Sequence, residues 1–298
     1  MIHGKPDWNR EGRDWPNREA SRFLLAGGLR WHVQVMGAGP TLLLLHGTGA
    51  ATHSWRDMAP RLARDFTVVA PDLPGHGFTD TPAGEGLSLP GMARGLAALL
   101  AALRVEPTFA AGHSAGAAIA LRMAVDRGLA PGGVVSLNGA LRPFPGASGH
   151  IFPAMAQLLF LNPAARQVFA WRAGRPGAVA KLMESTGSAI DARGLELYRR
   201  LLSTTGHVGG ALGMMARWNL LPLQADLPRM AAPLVLVAAE RDRAVPPAVA
   251  EDAHARVPGS VLKRLPRLGH LAHEEDPEGV AQIVRDAFLP GAPARAQA

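Results

Sequence analysis

Cysteine is absent from the 298 residues. That absence excludes a disulfide framework, a thiolate metal site and a cysteine nucleophile. No uninterrupted apolar run approaches the ~20 residues that a bilayer-spanning helix needs. Met1–Ala20 is charged and lacks the apolar stretch of a secretory signal, so a cytoplasmic location is the expectation. Internal repeats are lacking too. No nucleic-acid-binding motif or aromatic platform accompanies the basic residues, which argues against nucleic acid as a partner. Between Arg142 and Arg166 there is no Asp, Glu, Lys or Arg, but Pro143, Pro145, Pro153 and Pro163 interrupt the stretch, so it does not read as a membrane helix.

Hydrophobic residues make up 48% of the chain and charged residues 18%, a globular balance, and the length suits one large α/β domain or one domain with an insertion. The net charge is +7, and +6 of it falls between Leu141 and Ala231, where ten Lys/Arg face four Asp/Glu. Such a segment can meet an anionic substrate, lipid headgroups or an acidic partner. It can equally be a solvated helical surface.

Along the chain, Trp8, Trp15 and Pro16 stand among charges in what reads as an N-terminal arm, residues 1–22, anchored by the two tryptophans. Leu29–Met36 has the alternation of an edge strand. Thr41–Leu45, Phe66–Ala70, Phe109–His113, Val134–Leu137 and Leu234–Ala239 are short apolar runs, the pattern of strands buried on both faces. Val261–Leu265 reads as the last strand. Ser54–Arg64 fits a helix. Leu89–Leu103 has helical spacing, with Ser88 as N-cap and Pro90 in the first turn. Alternating strands and helices predict a mostly parallel sheet flanked by helices. The rhythm breaks at Leu141. From there to Ala231 only helical segments are legible (Ala154–Leu161, Ala178–Met183, Leu195–Leu202 and Ala211–Trp218), which predicts a helical cap, 141–231, inserted into a core formed by 23–140 and 232–298. Pro247–Arg256 and Pro277–Leu289 read as closing helices.

The chemistry gathers at strand ends. Phe109–His113 runs into Gly112-His113-Ser114-Ala115-Gly116 and out into a helix-favouring run. In that context Gly-x-Ser-x-Gly is a sharp turn that lifts a serine hydroxyl above the sheet. A side chain at Gly112 or Gly116 would collide with the neighbouring helix and strand. A serine needs a base, and the base needs an orienting carboxylate. Asp242 follows the Leu234–Ala239 strand and His270 follows the last one, so Ser114, Asp242 and His270 are the candidate catalytic residues. The N–H groups of Thr48 and Ala115 are the candidate oxyanion-hole donors. His113 reads as a packed or hydrogen-bonded neighbour, and Asp72 with His76 as a turn beneath the site. Asn138 ends a strand where an alternative acid could sit, but it is not a carboxylate. His270 and His273 have the spacing of a ligand pair, yet no carboxylate cluster completes a site. No metal and no cofactor are expected. Met214, Met215 and Trp218 read as core, with a flexible pocket wall as the alternative.

His46-Gly47, Asp72-Leu73-Pro74-Gly75-His76-Gly77, Gly112–Gly116, Asp242 with Val245-Pro246, and Gly269-His270 together resemble the α/β-hydrolase fold over about Phe23–Leu289. The arm from Arg13 to Ser21, the run Leu29–Gln34, Leu137–Gly146 and Leu268–Glu275 resemble, more closely, the magnesium-chelatase accessory proteins of bacteriochlorophyll biosynthesis, over nearly the whole chain. That resemblance implies a role near the insertion of magnesium into protoporphyrin IX. Two functions are therefore expected as alternatives. One is an esterase-like serine hydrolase acting on a small-molecule substrate. The other is a non-catalytic accessory protein that binds porphyrin or docks on magnesium chelatase subunits. Peripheral contact with a membrane through the basic cap is a further expectation.

Overall fold

The computed structural model describes residues 4–289 other than 128, 131 and 144–161. Eight strands, β1 (Ser21–Ala26), β2 (Leu29–Met36), β3 (Thr41–Leu45), β4 (Thr67–Pro71), β5 (Phe109–His113), β6 (Gly133–Leu137), β7 (Leu234–Ala239) and β8 (Val261–Leu265), form one sheet in the order β1-β2-β4-β3-β5-β6-β7-β8. β1 pairs antiparallel with β2, and β2 with β4; every other pairing is parallel. The described helices are α1 (Met58–Leu62), α2 (Leu89–Leu103), α3 (Ala115–Arg127), α4 (Pro163–Ala173), α5 (Ala178–Ser185), α6 (Ala192–Leu202), α7 (Thr205–Ala216), α8 (Leu221–Asp226), α9 (Ala248–Arg256), α10 (Ala272–Glu275) and α11 (Pro277–Phe288).

The apolar runs are explained by burial on both faces. In β3, Leu43 and Leu45 join a core with α2, α3 and α9, while Leu42 and Leu44 join a second core with α1 and α11. Successive side chains point to opposite faces, so a strand covered twice must be apolar throughout. α2 forms as its sequence predicts. Ser88 Oγ accepts from the Gly91 N–H at 3.2 Å, Pro90 sits in the first turn, and Arg104 ends the helix in the left-handed region with φ 57°.

Two expectations need correction. Leu29–Met36 is not the edge strand, because β1 pairs along its outer side. β1 lacks a clean alternation, and its Phe23–Ala26 apolar run is not buried throughout, with Leu25 exposed, so periodicity does not report it as a core strand. Ser54–Arg64 is not one helix: a 3-10 turn, Thr52–Trp55, precedes the short α1. The helix expected at Ala154–Leu161 lies outside the described residues.

Helices α4 to α8 fall between β6 and β7 and pack over the carboxyl ends of the strands. His207 of α7 accepts from the Gly77 N–H at 3.0 Å, and Tyr198 of α6 donates to Glu274 Oε1 at 2.8 Å. The backbones of α7 and the Gly75 turn touch, since a Cβ on Gly210 would lie 1.9 Å from the Gly75 carbonyl oxygen. Trp15 is buried and donates to Thr52 Oγ1 at 2.9 Å, and Trp8 packs edge-on against Phe23 and Phe78. Among the described residues, no helix is long and apolar enough to cross a membrane.

Candidate functional site

Ser114 stands at the junction of β5 and α3 with φ 53°, a left-handed conformation that a non-glycine residue adopts only when its surroundings impose it. Both flanking glycines are required sterically. A Cβ on Gly112 would lie 2.5 Å from the start of α3, at Ala117 N, and one on Gly116 would lie 2.1 Å from the Leu45 carbonyl oxygen. The turn is held by the Ser114 N–H, which donates to the Leu137 carbonyl at 3.0 Å, and by the Ser114 carbonyl, which accepts from Ala140 N at 3.1 Å.

Asp242 follows β7, and its carboxylate is 1% exposed. Four donors converge on it. Oδ1 accepts from the N–H groups of Ala244 at 2.8 Å and Val245 at 2.7 Å. Oδ2 accepts from His270 Nδ1 at 2.7 Å and Asn138 Nδ2 at 2.9 Å. Because the carboxylate can only accept, the His270 proton sits on Nδ1, and Nε2 is left as the basic nitrogen. Asn138 also donates to the Gly269 carbonyl at 3.0 Å, so one amide ties the acid to the loop that carries the imidazole. The position that sequence reading could describe only as lacking a carboxylate thus holds a positioning residue.

Other residues fix the His270 loop. His113 is buried, and its Nε2 donates to the His270 carbonyl at 2.8 Å. Burial, with His273 and His270 nearby, keeps its pKa well below the ordinary imidazole range, so it stays neutral as the packed neighbour expected. Ser188, between α5 and α6, accepts from the Leu271 N–H at 2.8 Å. This contact was missed, since it joins segments 83 residues apart. Asp72 pairs with His32 Nδ1 at 2.8 Å and accepts from the N–H groups of Thr52 and Phe78. It therefore organises the loops beneath the site, as expected for that motif. His273 is buried with Nε2 3.3 Å from Ser54 Oγ.

Glu274 was not singled out from sequence. It is buried, bonds Tyr198, and pairs with Arg56, which also reaches Asp191 of the α6 N-cap at 2.9 Å. Burial pushes its pKa up to about 7 against the opposing pull of Arg56. Its partners lie 76 and 218 residues away, a distance that no local pattern reports.

Ser114 and His270 line one cavity of about 390 Å³, together with Thr48 and Ala115. Among the described residues, no hydrogen bond joins Ser114 Oγ to His270 Nε2, and neither the Thr48 nor the Ala115 N–H has a partner, so all four groups remain available to a ligand. Such contacts commonly tighten only when substrate is bound. Gly47 keeps the approach close: a Cβ there would lie 2.9 Å from His113 Nδ1 and 3.1 Å from Ser114 Cβ. Much of the remaining wall is apolar, including Leu202, Met215 and Trp218. The structure divides the helical methionines, placing Met214 in the core and Met215 on the cavity wall. A hydroxyl, an oriented imidazole and two free amides around an apolar space can carry out acyl transfer.

Comparison with known proteins agrees with this architecture. The alpha/beta hydrolase family model matches residues 42–283. The magnesium-chelatase 30 kDa subunit of Rhodobacter capsulatus is 41% identical over 275 residues, 92% of this chain and 96% of that protein. The pyrrolizixenacetamide deacetylase of Xenorhabdus hominickii is 28% identical, covering 85% of this chain and 92% of that one. The solved structure of an α/β-hydrolase-fold protein from Burkholderia ambifaria superposes with a TM-score of 0.74 at 25% identity, over 90% of this chain and 97% of its own. On the fold, the strand order and these matches, the chain belongs to the alpha/beta hydrolase family.

Proposed function

We propose that the protein is a serine hydrolase acting on an ester-type bond, associated with bacteriochlorophyll biosynthesis at the magnesium chelatase step, with segment 141–231 as its cap. The observation that carries the chemistry is the shared cavity: the Ser114 turn and the Asp242-oriented His270 open onto one apolar space. In this reading, His270 Nε2 takes the Ser114 proton as Oγ attacks the ester carbonyl. Asp242 keeps the imidazole in the required tautomer and stabilises its charged form. The Thr48 and Ala115 amides receive the oxyanion. The His270 proton then passes to the leaving alkoxide, and water, deprotonated by the same imidazole, releases the acid. The link to magnesium chelatase rests on the 41% identical relative and its name, and the bacteriochlorophyll pathway on the sequence resemblance.

The test is a panel of p-nitrophenyl esters of increasing acyl length. The wild-type protein is expected to turn over at least one of them. Ser114→Ala is expected to lower kcat by a factor on the order of 10⁴ with the fold intact. Equal rates for the two proteins would sink the reading.

The name of the Rhodobacter relative also favours a second reading, an accessory protein that binds porphyrin or docks on magnesium chelatase, with peripheral membrane contact through the same face. The α4–α5 surface suits it: Val168, Trp171, Arg172 and Lys181 are exposed there, and Arg175 lies 4.2 Å over the Trp171 ring. Complementation in a bacteriochlorophyll-producing bacterium deprived of this protein separates the readings. Pigment synthesis that survives Ser114→Ala but not Arg172→Glu with Lys181→Glu would establish the second.

A further inference from the structure

The Ser114 cavity is electrostatically one-sided. Among the described residues that line it there is one permanent charge, Arg142, and no Asp or Glu. Asp242 lies behind His270 and is not part of the lining. The lining residues that fall between Asp126 and Glu184 in the chain, Ala140, Arg142, Pro143, Leu182 and Met183, likewise include no acid.

Arg142 is held there by the same contacts that hold the nucleophile. It leaves the end of β6 two residues after Ala140, whose N–H donates to the Ser114 carbonyl at 3.1 Å. Leu141 between them is buried in the core. Gly139 is packed closely enough that a Cβ would lie 2.2 Å from Ser136 Oγ. The backbone leading to Arg142 is thus fixed against the Ser114 turn. Among the described residues, its guanidinium has no ion-pair or hydrogen-bonding partner. The other arginines of the surrounding helices are differently placed; Arg199 and Arg200, for example, are engaged by Glu196 and Asp14.

From this we infer that Arg142 is the carboxylate-binding residue of the cavity, and that the substrate is an ester whose apolar body carries a free carboxylate. The inference rests on the hydrolase reading for the fate of the ester, but not for the binding of the anion. A planar guanidinium at an apolar wall binds a carboxylate through paired, charge-assisted hydrogen bonds. The surrounding apolar surface accepts the body of the ligand. In the reaction, the Ser114 Oγ–acyl bond forms as the acyl–alkoxy bond breaks, and the alkoxide leaves with the proton held by His270. Water then replaces Oγ. Ester and water give acid and alcohol, and the anchoring carboxylate is unchanged.

The test compares monomethyl sebacate, which carries one carboxylate and one ester, with neutral dimethyl sebacate. Binding is measured by calorimetry on full-length Ser114→Ala protein, so that turnover does not interfere, and on the same protein with Arg142→Met or Arg142→Lys. Circular dichroism checks that each variant is folded. The monoester is expected to bind about tenfold tighter or more, the scale of one charge-assisted contact. That preference should fall to about one in Arg142→Met and survive in part in Arg142→Lys. Equal binding of the two esters, binding of neither, or a preference that persists in Arg142→Met would each overturn the inference. Hydrolysis by wild-type protein is followed in parallel. If the Arg142-dependent preference holds while wild type cleaves neither of these esters nor any of the p-nitrophenyl panel, the carboxylate site stands as a binding site and the hydrolase reading fails.

Discussion

Replacing Asp242 with asparagine is expected to lower ester hydrolysis by a factor on the order of 10³–10⁴, while the protein still folds. The reason lies in the four donors around that carboxylate. Oδ2 faces His270 Nδ1 and Asn138 Nδ2, and Oδ1 faces the N–H groups of Ala244 and Val245. An asparagine side chain must point its own NH₂ at one of these two pairs. Towards the backbone, it sets a donor against two fixed donors. Towards His270, it forces the imidazole to present Nδ1 as an acceptor, which moves the ring proton to Nε2. The nitrogen proposed to act on Ser114 then has no lone pair with which to take its proton. The check is kcat for the variant beside its unfolding midpoint in urea. A loss of activity under tenfold in a folded variant would mean that Asp242 does not set the tautomer.

Acidification is expected to unfold the protein far above the pH at which its carboxylates titrate. His46, His53, His76, His113, His207 and His273 are buried, and burial lowers the pKa of each. For His207 and His273 the folded values lie at about 4 and about 3, against ~6.5 in the unfolded chain. The unfolded state therefore binds more protons, and stability present above pH ~6.5 is lost as pH falls towards the folded pKa. By pH 5, these two residues alone cost about 2 kcal/mol each, and the other four act in the same direction. That is a large share of the 5–15 kcal/mol typical of a folded domain. Glu274 opposes them, because its folded pKa of about 7 lies above the unfolded value of ~4.3, so it adds stability as pH falls from 7. It is one group against six.

The urea midpoint should accordingly drop steeply between pH 6.5 and 5, with uptake of several protons on unfolding. His53 offers the cleanest control. Among the described residues, neither of its ring nitrogens has a hydrogen-bond partner, and the ring sits edge-on to Tyr198 at 4.4 Å and Trp15 at 5.5 Å. His53→Phe should reduce the proton uptake by about one and keep the protein folded to lower pH. A midpoint that stays flat from pH 6.5 to 5 would contradict this account.

What the sequence made legible was local. Ser114, Asp242 and His270 each follow a short strand, and a strand end is marked by the turn chemistry around it. Gly112 and Gly116 are readable for the same reason, since close backbone approach leaves glycine as its signature. β3, β5, β6 and β7 are legible because burial on both faces makes them largely apolar. The missed features depend on distant partners. β1 is recognisable only through its pairing with β2. Asn138 matters because Asp242, 104 residues on, accepts from it. Ser188, Glu274 and Arg56 act through contacts between the inserted helices and the core, and no periodicity within either segment encodes such a contact. Arg142 looks like any arginine until the described lining of the cavity around it proves to hold no acid.

The central claim is that Ser114 is an activated nucleophile. Incubation with a fluorophosphonate, followed by intact-mass and peptide mass spectrometry, tests it most directly, with Ser114→Ala as the control. The account predicts a single adduct on Ser114 in the wild-type protein and none in the variant. A folded wild-type protein that takes up no adduct, or takes it up on another residue, would contradict it.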